Sequence, residues 1–329
     1  MTYREELENL ELLHLSEKAA LSVNASRKTV EEKCPFRTEF MRDRDRILHS
    51  SAFRRLKHKT QVFINETNDH FRDRLTHTLE VAQIAKTMSK ILRLNEDLTE
   101  AIALGHDIGH SPFGHSGEDV LNQICPHGFK HYVQSVRTLE HICHEGRGLN
   151  LTKETLSGIT EHTTGTATTL EGQIVRLSDT IAYINHDIED AMRAEIIKKQ
   201  DLPYPLTEIL GKTKSARITT LISSVVKNFE SNKTIDFQPR IRRAHDELKE
   251  FMFEKVYFNP IVKKNENKAK YIIEKLYNYF KRNPKEMPVL YQQIAKNTDL
   301  DRAVCDYVSG FTDRFALDLF KEIFIIKIN

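Results

Sequence analysis

The segment GHDIGHSPFGH, residues 105–115, restricts the fold of this chain more than any other feature. It places a histidine and a carboxylate, His106 and Asp107, side by side at the end of an apolar run, and its glycines and proline then end the helix. Polar and charged groups are costly to bury unless they are paired or bind a metal. The fold must therefore bring further polar groups to this point.

Two such groups lie on apolar faces of predicted helices. His77, in RLTHTLEVAQIAKTMSKIL, shares a face with Val81, and Asp179 lies four residues before Tyr183 in EGQIVRLSDTIAYINHDIED. One histidine on an apolar face is usually a packed core residue. Together with His106, however, these residues make three polar groups on three apolar faces, which indicates a shared ligand. Two imidazoles and two carboxylates suit a divalent cation such as Mn, Fe, Ni or Mg better than a structural zinc ion, which usually draws on thiolates. The predicted metal ligands are His77, His106, Asp107 and Asp179.

A metal site of this kind is typical of hydrolysis by a metal-activated water. Gly109, Pro112 and Gly114 unwind the chain directly after the ligand pair. We expect this break to let His110 and His115 turn back over the site.

Composition excludes several classes of protein. With 329 residues, 39% hydrophobic and 29% charged, the chain is typical of a soluble globular protein with a large core. It has no apolar run long enough to cross a bilayer, and its acidic N-terminus lacks the apolar stretch of a signal peptide. Its four cysteines form no CxxC pair, so we expect reduced thiols and a cytoplasmic location. A net charge of +2 argues against a dedicated polycationic nucleic-acid binder.

Helical periodicity dominates and predicts an all-α fold, with at most a short β-hairpin arm over residues 60–67. Residues 163–169 are predicted to form an exposed loop, and 324–328 to pack as a terminal strand or helix end. The predicted helices are 2–22, 39–57, 70–93, 97–108, 116–124, 131–145, 152–162, 171–194, 205–211, 215–229, 238–256, 259–281, 284–297 and 299–324.

The placement of histidine suggests two regions. Thirteen of the fifteen histidines lie between residues 49 and 186, whereas the later part is rich in Lys, Tyr and Phe. We therefore expect a catalytic core over 1–195 and a helical support or assembly region over 196–329. Within the core, residues 37–59 hold eight Lys/Arg against three acids, and the pair Arg54-Arg55 has no acid close in sequence, so it suits a polyphosphate partner.

Several strings together resemble the bacterial deoxyguanosinetriphosphate triphosphohydrolase (dGTPase) family of the HD superfamily. They include RDRDRILHSSAFRRLKHKTQVF, DHFRDRLTHTLEVAQIA, ALGHDIGHSPFGHSGED, GFKHYVQSVRTLE and RLSDTIAYINHDIEDAM, in the family's order, and they cover most of residues 35–195. The resemblance implies an HD-domain helical core with a further C-terminal helical region. It also implies one divalent ion per subunit (Mn or Mg, with Fe, Ni or Co as alternatives), a homo-oligomer (hexamer or tetramer), and hydrolysis of a dNTP to a deoxynucleoside and inorganic triphosphate.

The resemblance also implies roles for individual residues. The four predicted metal ligands match the family's. His115 matches a catalytic histidine near the α-phosphate, with Glu118 as its orienting partner and His110 as a second histidine. One departure is Tyr132, where the family usually has Asn. The implied substrate contacts are Arg55, Arg74 and His131 for phosphate, Gln61 and Asp187 for the sugar 3′-OH, and Tyr183 for the ring that excludes a 2′-OH.

Two other functions stay open on the sequence. A nucleotidase or phosphodiesterase of the HD type would keep the metal and act on another phosphate ester. A nucleotide-sensing or single-stranded nucleic-acid binding protein would use the basic 37–59 segment and the Lys/Tyr-rich C-terminal region. The sequence assigns neither the preferred dNTP nor an activating dNTP. Single-stranded DNA is expected at most as a secondary partner.

Overall fold

The computed structural model describes residues 1–63 and 70–325, and this part of the chain confirms the all-α prediction. No β-sheet occurs in it; the extended pairs Arg27–Thr152 and Thr60–Asp73 are isolated bridges. The helices are α1 Tyr3–His14, α2 Glu39–Leu48, α3 Ser51–Arg55, α4 Arg74–Ile91, α5 Glu96–Gly105, α6 His115–Ile124, α7 His131–Arg137, α8 Lys153–Glu161, α9 Leu170–Arg193, α10 Tyr204–Leu210, α11 Lys214–Asn232, α12 Pro239–Met252, α13 Pro260–Arg282, α14 Val289–Asn297, α15 Leu300–Ser309 and α16 Asp313–Phe324.

Side-chain caps explain where the helices that carry the site begin. The Asp73 carboxylate accepts the Thr76 N–H at 2.8 Å and starts α4, and the Asn95 side chain accepts the Leu98 N–H at 3.1 Å and starts α5. Thr169 accepts the Gly172 N–H at 3.2 Å and starts α9. Each bond satisfies an N–H that has no partner inside the helix.

Several predicted helices are interrupted or shorter than expected, among them the following four. The helix predicted over 2–22 ends at His14, and the one over 39–57 breaks at Ser50, whose side chain caps α3. The helix over 131–145 becomes a π-helical turn at 138–142. The helix over 299–324 breaks between Ser309 and Asp313, where Thr312 caps a new helix. Periodicity runs through these breaks, and at two of them a side-chain cap, Ser50 or Thr312, marks the start of the new helix.

Two other local predictions are only partly covered. Half of the hairpin arm predicted over 60–67 lies outside the described residues; within them, Thr60 pairs with Asp73. The end predicted over 324–328 also lies mostly outside.

Two apolar clusters form the core. The first joins α2, α4, α5, α8 and α9 and continues to Val256 in the turn after α12. The second joins α6 and the preceding Phe113 to α13, α15 and α16. The boundary predicted after residue 195 stays a prediction, while apolar packing of the first cluster continues well past it. Over the described ranges, no helix is both long and apolar enough to span a membrane.

Candidate metal centre and active site

Packing of α4 against α5 and α9 brings the four predicted metal ligands together. His77 lies in the first turns of α4, His106 directly follows α5, and Asp179 lies in the middle of α9. His77 Nε2 lies 3.1 Å from Asp179 Oδ1 and 3.9 Å from Asp107 Oδ2. Three separate segments of the chain therefore converge on one point.

His106 completes this cluster, and its hydrogen bonding suits a metal ligand. Its Nδ1 donates to the Ala103 carbonyl at 2.7 Å, so a neutral ring has its lone pair on Nε2. That Nε2 is buried and, within the described residues, has no hydrogen-bond partner. It lies 3.7 Å from Asp107 Oδ1 and 4.0 Å from Asp179 Oδ1. A divalent ion between these atoms would satisfy the orphaned nitrogen, so the residues present fit a metal.

The charges of the cluster favour cation binding. Burial alone would raise the pKa of Asp107, but the Arg74 guanidinium and the nearby imidazoles hold it well below its usual range. Burial likewise opposes ionisation of Asp179, and its bond to His77 lowers its pKa. Burial would lower the pKa of His77, yet the two carboxylates raise it. Both carboxylates are therefore ionised at neutral pH, and their charge favours the protonated form of His77 until a cation takes the place of that proton.

The side chain of His186 holds the ring of His77 through its distal nitrogen. His77 Nδ1 lies 2.9 Å from His186 Nε2, and His186 Nδ1 lies 2.8 Å from Asp187 Oδ1. Contacts to the distal nitrogen of a ligand histidine fix its tautomer and orientation. Sequence reasoning missed His186, although NHDIED places it directly before Asp187.

A second histidine cluster surrounds Glu118 in the first turn of α6. Glu118 Oε2 accepts from His131 Nδ1 at 2.8 Å and lies 3.6 Å from His115 Nδ1 and 3.8 Å from His110 Nε2. Burial would raise the pKa of Glu118, but the imidazoles of His115 and His131 hold it well below its usual range. The hydrogen bond of Glu118 is thus to His131, and His115, with a side chain 75% exposed, faces the cavity.

Arg74 and Gln61 present polar atoms at the same cavity. The Arg74 guanidinium is 2% exposed and donates through Nη1 to Asp107 Oδ2 at 2.5 Å. Its Nε and Nη2, like Gln61 Oε1, are buried and have no partner among the residues that the structure describes. Unsatisfied buried groups of this kind typically await a ligand.

Asp187, which also lines the cavity, holds two contacts. Its Oδ2 accepts from the Tyr257 hydroxyl at 2.6 Å, while its Oδ1 faces His186. Tyr183, one turn before Asp187 on α9, is half-buried and lines the cavity. Tyr257 lies in the π-helical turn after α12, so the C-terminal part of the chain contributes directly to the site.

Most of these groups line one open cavity of about 580 Å³. Its wall includes three of the four predicted metal ligands, the three histidines around Glu118, and Gln61, Arg74 and Asp187. Sequence reasoning missed a set of residues that complete its wall, because no motif accompanies them. They are His162, Arg176, Lys249, Phe253, Tyr257, Phe258 and Lys263.

Arg55 is the predicted site residue that the structure does not bring to this cavity. It lines a different one of about 490 Å³, together with Cys143, His144 and Tyr291. Tyr132, the departure from the family pattern, packs its ring edge-on to His131 and His162, at 5.6 and 6.4 Å between centroids.

Comparison with known proteins identifies the class. Residues 74–184 match the HD domain family, and residues 235–322 match the phosphohydrolase-associated domain family. The first range contains all four residues of the metal cluster and the second contains Tyr257. The protein is therefore a phosphohydrolase built on an HD domain, with a His/Asp cluster suited to a divalent metal.

Full-length relatives narrow this class. The chain is 52% identical to a deoxyguanosinetriphosphate triphosphohydrolase-like protein of Caldanaerobacter subterraneus subsp. tengcongensis, over 99% of this chain and 96% of the relative. It is 46% identical to one from Clostridium tetani, over 100% and 98% of the two chains, and 38% identical to one from Geobacter sulfurreducens, over 98% of each. The chain belongs to the family of deoxyguanosinetriphosphate triphosphohydrolase-like proteins.

A solved structure supports the fold alone. The crystal structure of a hypothetical protein from Aquifex aeolicus matches with a TM-score of 0.51 at 19% identity, covering 92% of this chain and 72% of that one.

Proposed function

We propose that this protein hydrolyses deoxynucleoside triphosphates to a deoxynucleoside and inorganic triphosphate. The observation that carries the proposal is a single cavity that combines the His/Asp cluster with the buried Arg74, whose Nε and Nη2 have no partner among the described residues. The Tyr183–Asp187 pair lines the same cavity. The printed names of the relatives, which refer to deoxyguanosine triphosphate, support the substrate class.

We propose one divalent ion per chain, Mn or Mg, held by His77, His106, Asp107 and Asp179. When bound, such an ion lowers the pKa of a coordinated water and offsets charge that develops on the phosphate. The chain's own groups orient the polyphosphate: Arg74 Nη2, the exposed Arg176 and the half-buried Lys249 and Lys263 face the cavity. With the β- and γ-phosphates held there, attack at the α-phosphorus expels the nucleoside.

His115 is the proposed proton donor to the departing 5′-oxygen. It is the most exposed imidazole of the second cluster and faces the cavity. Glu118 accepts from His131 directly, and its carboxylate lies 3.6 Å from His115 Nδ1, where it can orient that ring for proton transfer. His110 is buried and stacks on His131, with 4.4 Å between the ring centroids. This contact helps to hold His131 in place.

Gln61 and Asp187 are the proposed contacts of the sugar 3′-OH, and Tyr183 the group that leaves no room for a 2′-OH. Loss of the 3′-OH would leave buried polar atoms without a partner, at a cost of about 1–3 kcal/mol for each lost bond. The arrangement therefore favours 2′-deoxynucleotides that carry a 3′-OH.

The test is incubation of the protein with each of the four dNTPs, singly and in pairs, with Mn or Mg. We expect inorganic triphosphate and a deoxynucleoside in at least one mixture. Pyrophosphate with a monophosphate, or no turnover of any dNTP, would contradict the proposal and favour another phosphate ester. The paired mixtures test whether one dNTP activates hydrolysis of another.

A homo-oligomer, a dNTP activator and single-stranded DNA as a secondary partner stay predictions for this chain. Mass determination in solution, the paired dNTP mixtures and the salt dependence of DNA binding test them in turn.

A further inference from the structure

A carboxylate from the C-terminal region joins two segments of the active site. Asp313, the first residue of α16, is 8% exposed. Its Oδ1 accepts the backbone N–H of Phe113 at 2.8 Å, and its Oδ2 accepts the backbone N–H of Thr60 at 2.8 Å. One side chain, 200 residues from Phe113 and 253 from Thr60 in sequence, thus satisfies a backbone donor in each of two different loops.

A lysine makes the reciprocal connection. The Lys59 ammonium is 2% exposed and donates to the His110 carbonyl and, at 3.0 Å, to the Ser309 carbonyl. The turn between Ser309 and Asp313 therefore contacts these loops in two ways, through the Ser309 carbonyl and through the Asp313 carboxylate. We call Lys59, Asp313 and their four backbone partners the clasp.

Both loops in the clasp carry groups of the proposed reaction. The first loop, residues 59–61, ends at Gln61. The carbonyl of its Lys59 also accepts the backbone N–H of Arg74 at 3.0 Å. Residues 110–114 join His110 to His115. Small shifts of either loop would therefore move the polar atoms that face the substrate.

The second loop is strained, which explains why it needs an external partner. Phe113 has φ of +60°, a left-handed conformation that costs a residue with a side chain about 1–3 kcal/mol. Gly114 follows with φ of +59°, and a Cβ there would lie 3.1 Å from the Gln61 carbonyl and 3.2 Å from Arg74 Nη2. Such a conformation persists only when surrounding contacts hold it, and the bond from Phe113 to Asp313 is one of these contacts.

We propose that Asp313 and Lys59 are positioning residues, through which the C-terminal region sets the geometry of the His110–His115 loop and of Gln61 for hydrolysis. Neither touches the reacting atoms, and neither is a metal ligand. The inference rests on the proposed function for its catalytic readout, and its structural readout does not depend on that function.

The chemistry of the clasp specifies the test variant. A carboxylate accepts two N–H groups, whereas the amide of Asp313→Asn accepts one and turns a donor toward the other. We expect faster amide hydrogen exchange over residues 109–118, a kcat lower by about 10- to 100-fold, and unchanged metal affinity. Asp313→Glu retains both acceptors one methylene further out, so its kcat should lie between those of Asp313→Asn and the parent.

Two controls separate positioning from loss of stability. Val304→Ala removes buried apolar volume from the same C-terminal cluster, and Asp318→Asn changes an exposed carboxylate of the same helix, 61% exposed. At matched loss of Tm, Val304→Ala should leave exchange over 109–118 and kcat close to those of the parent, and Asp318→Asn should change neither.

Three results would overturn the proposal: exchange over 109–118 in Asp313→Asn no faster than in Val304→Ala, equal kcat in these two variants, or metal loss in Asp313→Asn. If Asp313→Asn does not fold, Asp313→Glu is compared with Val304→Ala instead. The same two measurements, amide exchange over residues 109–118 and kcat, then decide the proposal. An inactive parent protein would overturn the proposed function instead, and the exchange rates alone would then decide whether Asp313 holds the loop.

Discussion

The HD region, residues 74–184, and the associated region, residues 235–322, contribute to the site in different ways. The HD region supplies the metal cluster from buried side chains on helices that pack against one another. The associated region adds groups to the cavity wall, such as Tyr257, which donates to Asp187, and it holds a loop of the site through Asp313, which accepts the Phe113 N–H. The HD region therefore supplies the metal cluster, and the associated region completes the cavity and holds parts of the site in place.

Loss of a metal ligand should have the largest effect. His106→Ala removes the orphaned Nε2 and should lower kcat by about 1000-fold or more, because metal catalysis supplies several kcal/mol. Metal content by plasma mass spectrometry should fall below one ion per chain. Full metal content in this variant would show that the cluster is not the metal site.

Loss of the proposed proton donor should follow. His115→Ala should lower kcat by about 10²- to 10⁴-fold while metal content stays at that of the parent. Steady-state kinetics with dGTP, beside metal analysis, separates this variant from His106→Ala. A variant that loses both metal and activity would contradict the division into two histidine clusters.

The associated region should give a smaller effect of a different kind. Tyr257→Phe removes the hydroxyl that donates to Asp187 Oδ2 and leaves that buried oxygen with one partner fewer, so KM should rise about tenfold. The rise in KM should be smaller for a 3′-deoxy substrate, which lacks the hydroxyl that Asp187 is proposed to bind. An equal rise in KM for both substrates would mean that Tyr257 acts elsewhere.

pH should change how strongly a metal stabilises the fold. The carboxylates of Asp179 and Asp107 raise the pKa of His77 against the effect of burial, so the metal-free folded chain binds this proton more tightly than the unfolded chain. That stability is present below a pH of about 6.5 and is lost as pH rises through the folded-state pKa. A cation replaces the proton, and the rise in Tm on adding Mn should therefore be larger at pH 8 than at pH 6. A rise that is equal or smaller at pH 8 would contradict this.

The smallest effect should come from a surface contact between the same two regions. Lys270 Nζ lies 3.0 Å from Asp119 Oδ2, and the two side chains are 33% and 58% exposed. Lys270→Ala should change the free energy of unfolding by less than about 1 kcal/mol and leave kcat unchanged. A large loss of activity would mean that surface contacts, and not only buried ones, position the site.

Sequence predicted the first region better than the second for a physical reason. His77, His106 and Asp179 are polar residues on apolar helical faces, a conflict that periodicity makes visible. The groups of the associated region, such as Tyr257 and Lys249, lie on ordinary amphipathic helices and reach the cavity only through packing. Asp313 was hidden for a further reason, since the helix predicted over 299–324 passes through the turn that exposes its carboxylate to the two loops.

Arg55, whose phosphate contact stays a prediction, shows the opposite case. Its neighbours in sequence suggested a phosphate contact, but α3 turns its side chain into a separate cavity with Tyr291. Spacing along a chain cannot show which side of a short helix faces a distant site.

Hydrolysis of dGTP in water enriched in ¹⁸O, followed by ³¹P NMR, tests the central claim most directly. If the cavity places the α-phosphorus over the metal cluster and the nucleoside leaves, the label must appear on a terminal phosphorus of inorganic triphosphate. Label in the deoxynucleoside, or in a monophosphate released with pyrophosphate, would contradict the account.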